Sequence, residues 1–509
     1  MDEPDLRIAP TSLRELWRAS AVEVEHDVLV TGLVVDSTDV QPGMVFAALP
    51  GQHTHGARFA RQALERGAAA VLTDGEGAAL LDANPPVVVV DDPRARLGEL
   101  SAAVYGRPAD QLTTFGVTGT NGKTTTTWLL EAGLAAAGRR PGLFGTVGIR
   151  FDGRTFATSR TTPEAPYLHA LLAHLLRLGA DSVALEVSSH ALALGRVDGL
   201  VVDVAGFTNL GHDHLDFHGS MAAYEAAKQL LFTPAHAQRG IVVVDGEAGR
   251  RVADAADIPV DRVRSRRSHH GDELGPVPWQ VRDPQPQLPT GWRFGLARDD
   301  APAVDLRILL SGQFNVANAA LAAAMLLTAG VDAEAVAAGL RHCRGVPGRM
   351  EVVDRGQPFS ALVDYAHTTD ALSAVLTGLR AQTSGRLLVV FGCGGDRDTD
   401  KRPEMGAAAA ALADVVVVTD DNPRTEDPAA VRAAVLSGAR RDRTRAVVLE
   451  VGDRGAAIAA AVAMCLPGDT LVVAGKGHEQ GQQVGDVMLP FDDRSALAAA
   501  LDAEGKPLS

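Results

Sequence analysis

Residues 115–127 read FGVTGTNGKTTTT, an apolar strand end followed by a glycine-rich turn, a lysine and a run of threonines. Glycines let backbone N–H groups face a phosphate, and the start of a helix adds partial positive charge. In such a loop Lys123 reaches the β- and γ-phosphates, and the Thr124 hydroxyl binds Mg²⁺. The general phosphate-loop pattern has glycine where this chain has Val117, so an ordinary strand-to-helix turn is the alternative. The Gly-Lys-Thr order favours a nucleoside triphosphate site.

The composition limits the classes of protein to which this chain can belong. Its 509 residues carry a formal net charge of −15, which argues against a nucleic-acid-binding surface. The three cysteines lie far apart and form no C-x-x-C pair, so neither a disulfide framework nor a zinc site is expected. The first residues lack the apolar region of a signal peptide, and no apolar run reaches the ~18 residues that span a bilayer. We expect a cytoplasmic monomer that binds neither nucleic acid nor membrane.

Apolar runs with strand character alternate with Ala- and Leu-rich helical stretches along the whole chain, which predicts an α/β fold. We expect a small amino-terminal α/β domain at 1–110, a central phosphate-loop ATPase-like domain with a parallel sheet at 111–344, and a carboxy-terminal Rossmann-like α/β domain at 345–509. Predicted strands include residues 87–90, 182–187, 202–207, 387–391 and 415–419. Residues 265–303 are polar, and short antiparallel strands and loops are expected there.

Two polar clusters follow strands of the central segment. Glu186 ends the apolar run 182–187, and a carboxylate at the carboxyl end of a strand near a phosphate loop suits Mg²⁺. Taken alone, a glutamate in this position would more often be an ordinary surface residue than a metal ligand. Residues 208–218 (TNLGHDHLDFH) contain three histidines and two aspartates, but their spacing matches no closed structural zinc site. A solvated polar loop is the alternative interpretation of this second cluster.

Several motifs together resemble one known family. They are GTNGKTT at 119–125, TTP at 161–163, EVSSH at 186–190, NLGHDHLDFH at 209–218, YEAAK at 224–228, VDYAH at 363–367 and GCGGDRD at 392–398. In this order, across almost the entire chain, they resemble the Mur ligases of peptidoglycan synthesis. The resemblance implies that ATP phosphorylates a substrate carboxylate and that an amine attacks the resulting acyl phosphate. Such chemistry needs positioning and charge neutralisation more than a nucleophilic residue.

The resemblance also assigns the catalytic and ATP-binding residues. It implies two Mg²⁺ sites, with Thr124, Glu186 and His214 as metal-binding residues, and it makes Lys123, Glu186, His214 and Lys228 catalytic. Lys228 is expected to carry a carbamate formed from CO₂, although by itself it is an ordinary helix lysine. The expected ATP ligands are Gly119, Thr120, Asn121, Gly122, Lys123, Thr124, Thr125, Asn315, Arg349 and Asp364.

For the UDP-muramoyl-dipeptide substrate, the expected ligands are Ser37, Gln52, His53, Thr54, Thr161, Thr162, Ser188 and Arg196. Arg196 is chemically apt because a guanidinium group matches a carboxylate. The chain departs from the usual family pattern at three positions: Thr38 stands in place of an arginine, Leu194 in place of a glutamine and Thr369 in place of a proline. These departures affect single contacts and leave the expected reaction unchanged.

The stretch TDDNPRTEDP at 419–428 indicates which amino acid is added. meso-Diaminopimelate ends in a carboxylate that needs a cationic partner such as Arg424, whereas lysine has no such group. Members of the family that use diaminopimelate carry this Asp-Asn-Pro-Arg pattern. The expected diaminopimelate ligands are Arg397, Asp421, Asn422, Pro423, Arg424, Gly475 and Glu479. A turn that caps the helix after Pro428 is an alternative that is compatible with this role.

Two rival functions follow from the same phosphate loop. Folylpolyglutamate synthetases and the other muramoyl ligases share the loop, but residues 421–424 and 475–479 are not expected in them. A phosphate-loop ATPase that acts as a switch or motor, or a degenerate binding protein, would need no amino-acid acceptor. That reading leaves Lys228 and the third predicted domain unexplained.

Overall fold

The computed structural model describes residues 6–51, 53–82, 85–156, 158, 160–266, 277–287, 291–299, 301–396, 398–441 and 445–504. The chain divides into two compact units. The first comprises Met1–Leu210, His214–Gln280 and Leu321–Gly339, and the second comprises Gly211–Asp213, Val281–Ala320 and Leu340–Ser509. Among the described residues, no helix is both long and apolar enough to cross a bilayer.

The first unit begins with a small sheet. A short antiparallel pair, β1 (Thr11–Ser12) and β2 (Leu29–Val30), precedes four parallel strands that lie in chain order: β3 (Gly32–Val34), β4 (Met44–Ala47), β5 (Ala70–Thr73) and β6 (Val87–Val89). The helices of this part are α1 (Leu13–Leu16), α2 (Ala60–Glu65), α3 (Gly75–Ala79) and α4 (Pro93–Val104). Strands β4 and β5 are buried along their whole length, as the strands of a covered parallel sheet are.

A larger sheet follows in the same unit. Its strands in this unit are β7 (Thr113–Thr118), β8 (Pro141–Gly145), β9 (Gly148–Phe151), β10 (Arg154–Phe156), β11 (Ser182–Glu186), β12 (Val202–Phe207), β13 (Ala237–Val243) and β14 (Val260–Arg264). The next strand, β15 (Trp279–Pro286), begins in this unit and continues into the second. The helices are α5 (Lys123–Ala136), α6 (Ala165–Arg177), α7 (Ser189–Ala193), α8 (Leu215–His218), α9 (Met221–Gln229) and α10 (Glu247–Asp254). Strand β7 is central and pairs in parallel with β11 on one side and β12 on the other. The loops after these three strands therefore lie at one edge of the sheet.

The second unit contains the antiparallel strands β16 (Trp292–Arg298) and β17 (Val304–Ile308). Next along the chain come the helices α11 (Phe314–Thr328) and α12 (Ala333–His342), of which Leu321–Gly339 belong to the first unit. The strands of the main sheet of this unit are β18 (Glu351–Val352), β19 (Ser360–Asp364), β20 (Leu387–Phe391), β21 (Val415–Val418), β22 (Val447–Glu450) and β23 (Thr470–Ala474). They lie in the order β18-β19-β23-β20-β21-β22, and all neighbours are parallel except β18 and β19.

Helices cover both faces of this sheet: α13 (Thr369–Arg380), α14 (Lys401–Leu412), α15 (Pro428–Ala439), α16 (Arg454–Met464) and α17 (Asp493–Glu504). Successive residues of β20 alternate between two cores. Val389 packs with α13, α14 and α15, and Val390 packs with α16 and α17. A hairpin of β24 (Gly481–Val484) and β25 (Val487–Pro490) follows β23.

The predicted α/β class with parallel sheets is confirmed. The predicted strands at 202–207 and 387–391 have the bounds of β12 and β20. Antiparallel strands were expected at 265–303; β16 pairs antiparallel with β17, whereas β15 pairs in parallel with β14. Residues 267–276, 288–290 and 300 of that stretch lie outside the described residues. The edge hairpins β8–β9–β10 and β24–β25 were not predicted, because short edge strands lack a long apolar run.

Candidate active site

The phosphate loop connects the central strand β7 to helix α5. Val117 is fully buried within β7, where it pairs with Glu186 and Gly206, so this position belongs to the sheet core and not to the loop. The loop itself begins at Gly119, whose φ of +145° favours glycine. A Cβ atom added at Gly119 would overlap the Thr208 hydroxyl. Val117, which stands where the general pattern has glycine, is therefore not in the part of the loop that faces a ligand.

The end of β12 fixes the shape of this loop. The backbone N–H of Thr120 donates to the Asn209 carbonyl at 2.9 Å, and the N–H of Asn121 donates to Asn209 Oδ1 at 3.0 Å. In return, Asn209 Nδ2 and the Thr208 hydroxyl both donate to the Asn121 carbonyl. Gly122 starts α5 with a φ of +87° and provides no side-chain cap. The amino-terminal turn of a helix favours an anion through its N–H groups and its partial positive charge.

Two lysines donate to the same oxygen of the loop. Lys123 Nζ lies 2.8 Å from the Gly119 carbonyl oxygen and 2.9 Å from that of Thr120. Lys228, on α9, is only 1% exposed, and its Nζ lies 2.9 Å from the same Gly119 oxygen. The Lys228 Nζ also lies 4.3 Å from the centroid of the Tyr224 ring. Two ammonium groups around one acceptor repel each other, and a neighbouring anion or the neutralisation of one of them relieves that repulsion.

Glu186 ends β11 beside the phosphate loop and is 1% exposed. Its carboxylate accepts hydrogen bonds from the Thr124 hydroxyl at 2.9 Å, the Thr146 N–H at 2.8 Å and the Thr146 hydroxyl at 3.1 Å. Among the described residues it has no ion-pair partner. A buried carboxylate with neutral donors and a threonine hydroxyl at a phosphate loop fits a divalent cation.

His214 lies in an aromatic cluster next to this site. It has a φ of +53°, and its ring centroid lies 4.7 Å from that of His190 and 6.1 Å from that of Tyr224. His218 Nε2 lies 3.0 Å from the Ser189 hydroxyl, and burial lowers the pKa of His218, with His190 and Lys228 contributing in the same direction. Within the described ranges, no group of three or more His, Cys, Asp or Glu side chains is arranged to hold a metal.

Three of the residues predicted for the muramoyl-dipeptide, Thr161, Thr162 and Ser188, lie around the carboxyl end of β11. The Thr161 hydroxyl lies 3.2 Å from the Thr146 hydroxyl, and the Thr162 hydroxyl donates to the Glu186 carbonyl at 2.8 Å. The Ser188 N–H donates to the Thr162 hydroxyl, and the Ser188 hydroxyl caps α7. These contacts join the predicted dipeptide ligands directly to the predicted metal ligand.

Arg196 belongs to a cluster of three arginines around one carboxylate. Its Nε lies 2.9 Å from Glu164 Oε1, and the guanidinium groups of Arg94 and Arg160 also contact Glu164. Burial lowers the pKa of Arg196, and the Glu164 carboxylate opposes that shift. Three guanidinium groups on one carboxylate leave a local excess of positive charge, which suits an anionic substrate.

The remaining predicted ligands of the UDP-muramoyl-dipeptide lie in the amino-terminal part of the first unit, and the structure shows a side-chain hydrogen bond for one of them. The Ser37 hydroxyl is buried and donates to Gln62 Oε1 at 2.8 Å, whereas His53 and Thr54 are exposed. Gln52 lies outside the described residues. Thr38, which stands in place of the family's arginine, donates through its N–H and hydroxyl to its neighbour Asp36.

In the second unit, Asp364 ends β19 and is buried. Its two oxygens accept from the N–H groups of Met350 and Ala366 at 2.8 Å each, and burial raises the pKa of its carboxyl against the opposing effect of Arg349. The Arg349 guanidinium lies 4.3 Å from the Tyr365 ring centroid. Asn315 is buried near the start of α11, where its Nδ2 donates to the Ser311 carbonyl at 2.7 Å.

The predicted diaminopimelate ligands follow β21 and β23, neighbours of β20 in the same sheet. Arg424 has a φ of +51°, its N–H donates to the Gln483 carbonyl, and its guanidinium donates to the Gly395 carbonyl. Gly475 has a φ of +116°, and a Cβ added there would lie 2.7 Å from Asp421 Oδ2. The Pro423 carbonyl packs against Gly395, and a Cβ atom added at Gly395 would overlap it. Arg397 lies outside the described residues.

Sequence reasoning missed several residues that organise these sites. Lys476 is fully buried among the predicted diaminopimelate ligands, and Thr146 supplies two of the hydrogen bonds to Glu186. For Lys476 the signal was its place within residues 475–479 (GKGHE), but a lysine between two glycines does not by itself indicate burial. Thr146 has no sequence signal, because its role depends on the pairing of β8 with β11.

Comparison with known proteins supports the expected family. Models described as "Mur ligase family, catalytic domain", "Mur ligase middle domain" and "Mur ligase, glutamate ligase domain" match residues 29–105, 117–326 and 348–477. The UDP-N-acetylmuramoyl-L-alanyl-D-glutamate--2,6-diaminopimelate ligases of Streptomyces coelicolor and Streptomyces avermitilis are 49% and 48% identical, each with 97% of both chains covered. A solved structure of a ligase with the same description is 32% identical, covers 98% of this chain and 100% of its own, and has a TM-score of 0.70. The three-domain architecture and the family resemblance are thus confirmed, and the chain belongs to the Mur ligase family.

Proposed function

We propose that this protein is an ATP-dependent amide ligase that adds meso-diaminopimelate to UDP-N-acetylmuramoyl-L-alanyl-D-glutamate. The reaction proceeds through an acyl phosphate and serves peptidoglycan precursor synthesis in the cytoplasm. Relatives with this description cover 97% of the chain at 48–49% identity. The observation that carries the choice of amino acid is the placement of Arg424 and Glu479 in the same unit. The Arg424 N–H donates to the Gln483 carbonyl in β24, and Glu479 accepts from Asn422 in the loop after β21. The protein acts as a monomer, with domain boundaries near residues 110 and 344.

Activation of the substrate carboxylate takes place at the phosphate loop. The N–H groups at the start of α5 and the Lys123 ammonium bind and orient the terminal phosphates of ATP. Thr124, Glu186 and His214 would hold Mg²⁺, with a second ion expected near Glu186 and His214; bound there, the metal neutralises the charge of the transferring phosphoryl group. Asn315, Arg349 and Asp364, which belong to the second unit, are further nucleotide ligands that the family resemblance implies.

Lys228 has a separate role as a carbamylated lysine. Its burial and its shared acceptor with Lys123 support this assignment, because a carbamate removes a buried positive charge beside the Lys123 ammonium. The carbamate is anionic and provides an oxygen ligand where an ammonium group would repel a cation.

The dipeptide and the amino acid bind through complementary charges. Arg196, supported by Arg94 and Arg160, orients carboxylates of the muramoyl-dipeptide. Arg424 binds the distal carboxylate of diaminopimelate, and Glu479 binds its distal ammonium group. Lysine lacks that carboxylate, so it would leave the Arg424 site without a partner.

ADP release by the purified full-length protein tests this function. The assay supplies ATP, Mg²⁺ and UDP-muramoyl-dipeptide, with diaminopimelate, lysine or no amino acid. We expect rapid ADP release only when dipeptide and diaminopimelate are both present. Release without any amino acid would instead indicate an ATPase. A parallel reaction contains glutamate and a folate in place of the dipeptide and diaminopimelate, and release there would indicate a folylpolyglutamate synthetase.

A further inference from the structure

Lys476 is a completely buried cation in the middle of the predicted amino-acid site. Its side chain is 0% exposed, and its Nζ donates to Asn422 Oδ1 at 2.9 Å and to Glu479 Oε2 at 3.1 Å. The same Nζ lies 3.7 Å from Asp421 Oδ1. A buried ammonium group is unfavourable unless its protons are paired. All three of these partners are residues that we assign to diaminopimelate binding.

The contacts of Lys476 fix the orientation of the Asn422 amide. Asn422 Oδ1 accepts from Lys476 and also from the N–H of Gln483 at 2.9 Å. Its Nδ2 must therefore point the other way, where it donates to Glu479 Oε2 at 3.1 Å. A flipped amide would place an NH₂ group against an ammonium and a backbone N–H, which excludes that alternative.

The contacts of Glu479 leave one of its oxygens for another partner. Oε2 accepts from both Lys476 and Asn422, and no hydrogen bond among the described residues uses Oε1. The Glu479 side chain is 34% exposed although Lys476 beneath it is not exposed at all. Oε2 thus accepts hydrogen bonds from Lys476 and Asn422, while the carboxylate as a whole remains accessible to solvent.

The local charges indicate what that oxygen binds. Asp421, Glu479 and Lys476 together carry a formal charge of −1, and the neighbouring buried ions Arg454 and Asp493 neutralise each other. These three side chains therefore lack one positive charge, and the Arg424 guanidinium, a further cation assigned to this site, donates to the Gly395 carbonyl instead of to them. An ammonium group supplies that charge and donates hydrogen bonds to a carboxylate oxygen.

We propose that Lys476 is a positioning residue of the amino-acid site. It binds Glu479 Oε2 and orients the Asn422 amide, and so presents Glu479 Oε1 to an ammonium group of the amino-acid substrate. Lys476 itself does not contact the substrate. This inference rests on the proposed function for the identity of the amino acid, but not for the class of group that is bound.

The test compares KM values of full-length variants in the ADP-release assay. Lys476→Met removes the ammonium group and retains the length of the side chain. We expect KM for diaminopimelate to rise about tenfold to a hundredfold, the range for loss of hydrogen bonds to a charged group, with KM for ATP and for the dipeptide changed less than ~2-fold. Lys476→Gln, which is polar and can retain one of the two hydrogen bonds, is expected to raise the same KM by a smaller factor and serves if the Met variant does not fold.

A double-mutant comparison separates positioning from a general structural role. If Lys476 acts through Glu479, the Lys476→Met/Glu479→Gln variant raises KM for diaminopimelate by much less than the product of the two single effects. Arg386→Met is the matched control. Arg386 forms an ion pair with Asp469 in the same unit, but the pair lies at the amino-terminal ends of β20 and β23, whereas Lys476 follows the carboxyl end of β23. This control variant should lower the thermal midpoint and leave KM for diaminopimelate unchanged.

The outcomes distinguish the two levels of the proposal. An unchanged KM for the amino acid in both Lys476 variants, an equal rise in all three KM values, or multiplicative effects in the double variant would overturn the positioning role. If the wild-type protein uses a different amino acid, the proposed acceptor is wrong. The same comparison is then made with the amino acid that it does use, and the Lys476 inference stands or falls on that result.

Discussion

Replacement of Gly119 by alanine tests whether the phosphate loop has the shape that nucleotide binding requires. Gly119 has a φ of +145°, and an alanine Cβ would overlap the Thr208 hydroxyl and lie 3.1 Å from the Asn209 N atom. The backbone strain amounts to about 1–3 kcal/mol. Displacement of the Thr208 hydroxyl from the Asn121 carbonyl forfeits one further hydrogen bond, about 1 kcal/mol.

The unliganded loop of the variant relaxes to relieve this strain. When ATP binds, the loop must return to the strained conformation, which costs the total of about 2–4 kcal/mol. We therefore expect Gly119→Ala to weaken ATP binding roughly 30-fold to 1,000-fold. Isothermal titration calorimetry with ATP and Mg²⁺ measures this directly, and a thermal melt shows whether the variant is folded.

Gly138→Ala is the matched control for this experiment. Gly138 follows the other end of α5 and also has a positive φ, +75°, but an added Cβ would meet nothing within 4 Å. That variant should lose about 1 kcal/mol of stability and bind ATP normally. If Gly119→Ala bound ATP within about threefold of the wild type, an amount worth less than 1 kcal/mol, the inferred loop geometry would be wrong.

Four further changes probe other parts of the account. Glu186→Gln retains the shape of the side chain but removes its charge, and initial rates at saturating Mg²⁺ should fall at least ~100-fold; a near-normal rate would exclude Glu186 as a metal ligand. Lys228→Ala should abolish turnover and Lys228→Arg should not restore it, because guanidinium cannot form a carbamate; activity of either variant argues against that modification. Arg424→Ala should reduce the kcat/KM preference for diaminopimelate over lysine by about 2–5 kcal/mol, and an unchanged ratio would place the carboxylate elsewhere. Burial lowers the pKa of His169 from 6.5 to about 4, so the unfolded chain takes up a proton at higher pH than the folded protein does. The contribution of His169 to the free energy of unfolding is therefore constant well above pH 6.5 and falls by about 3 kcal/mol towards pH 4, and urea unfolding of His169→Gln should show a decrease over this range that is smaller by about that amount.

The sequence predicted most successfully those features whose signal is local. An apolar run such as 202–207 specifies a buried parallel strand by itself, and a glycine-rich turn before a lysine specifies the start of α5. Collinear motifs then identified the family. Even the departure at Val117 has a local explanation, since the residue is the buried end of β7.

Long-range pairing determined what the sequence did not reveal. Asn209 shapes the phosphate loop only because β12 lies beside β7, and Thr146 reaches Glu186 only because β8 lies beside β11. The burial of Lys476 depends on the packing of the loops after β21 and β23. None of these neighbours is close to its partner along the chain, so no pattern in a single sequence indicates them.

The central claim is that this ligase selects diaminopimelate through a carboxylate-binding arginine. Its most direct test is a competition: purified protein, ATP, Mg²⁺ and UDP-muramoyl-dipeptide are incubated with equal concentrations of meso-diaminopimelate and lysine, and the products are identified by mass spectrometry. We predict that the diaminopimelate adduct accounts for nearly all of the product. A lysine adduct in comparable amount would contradict the account.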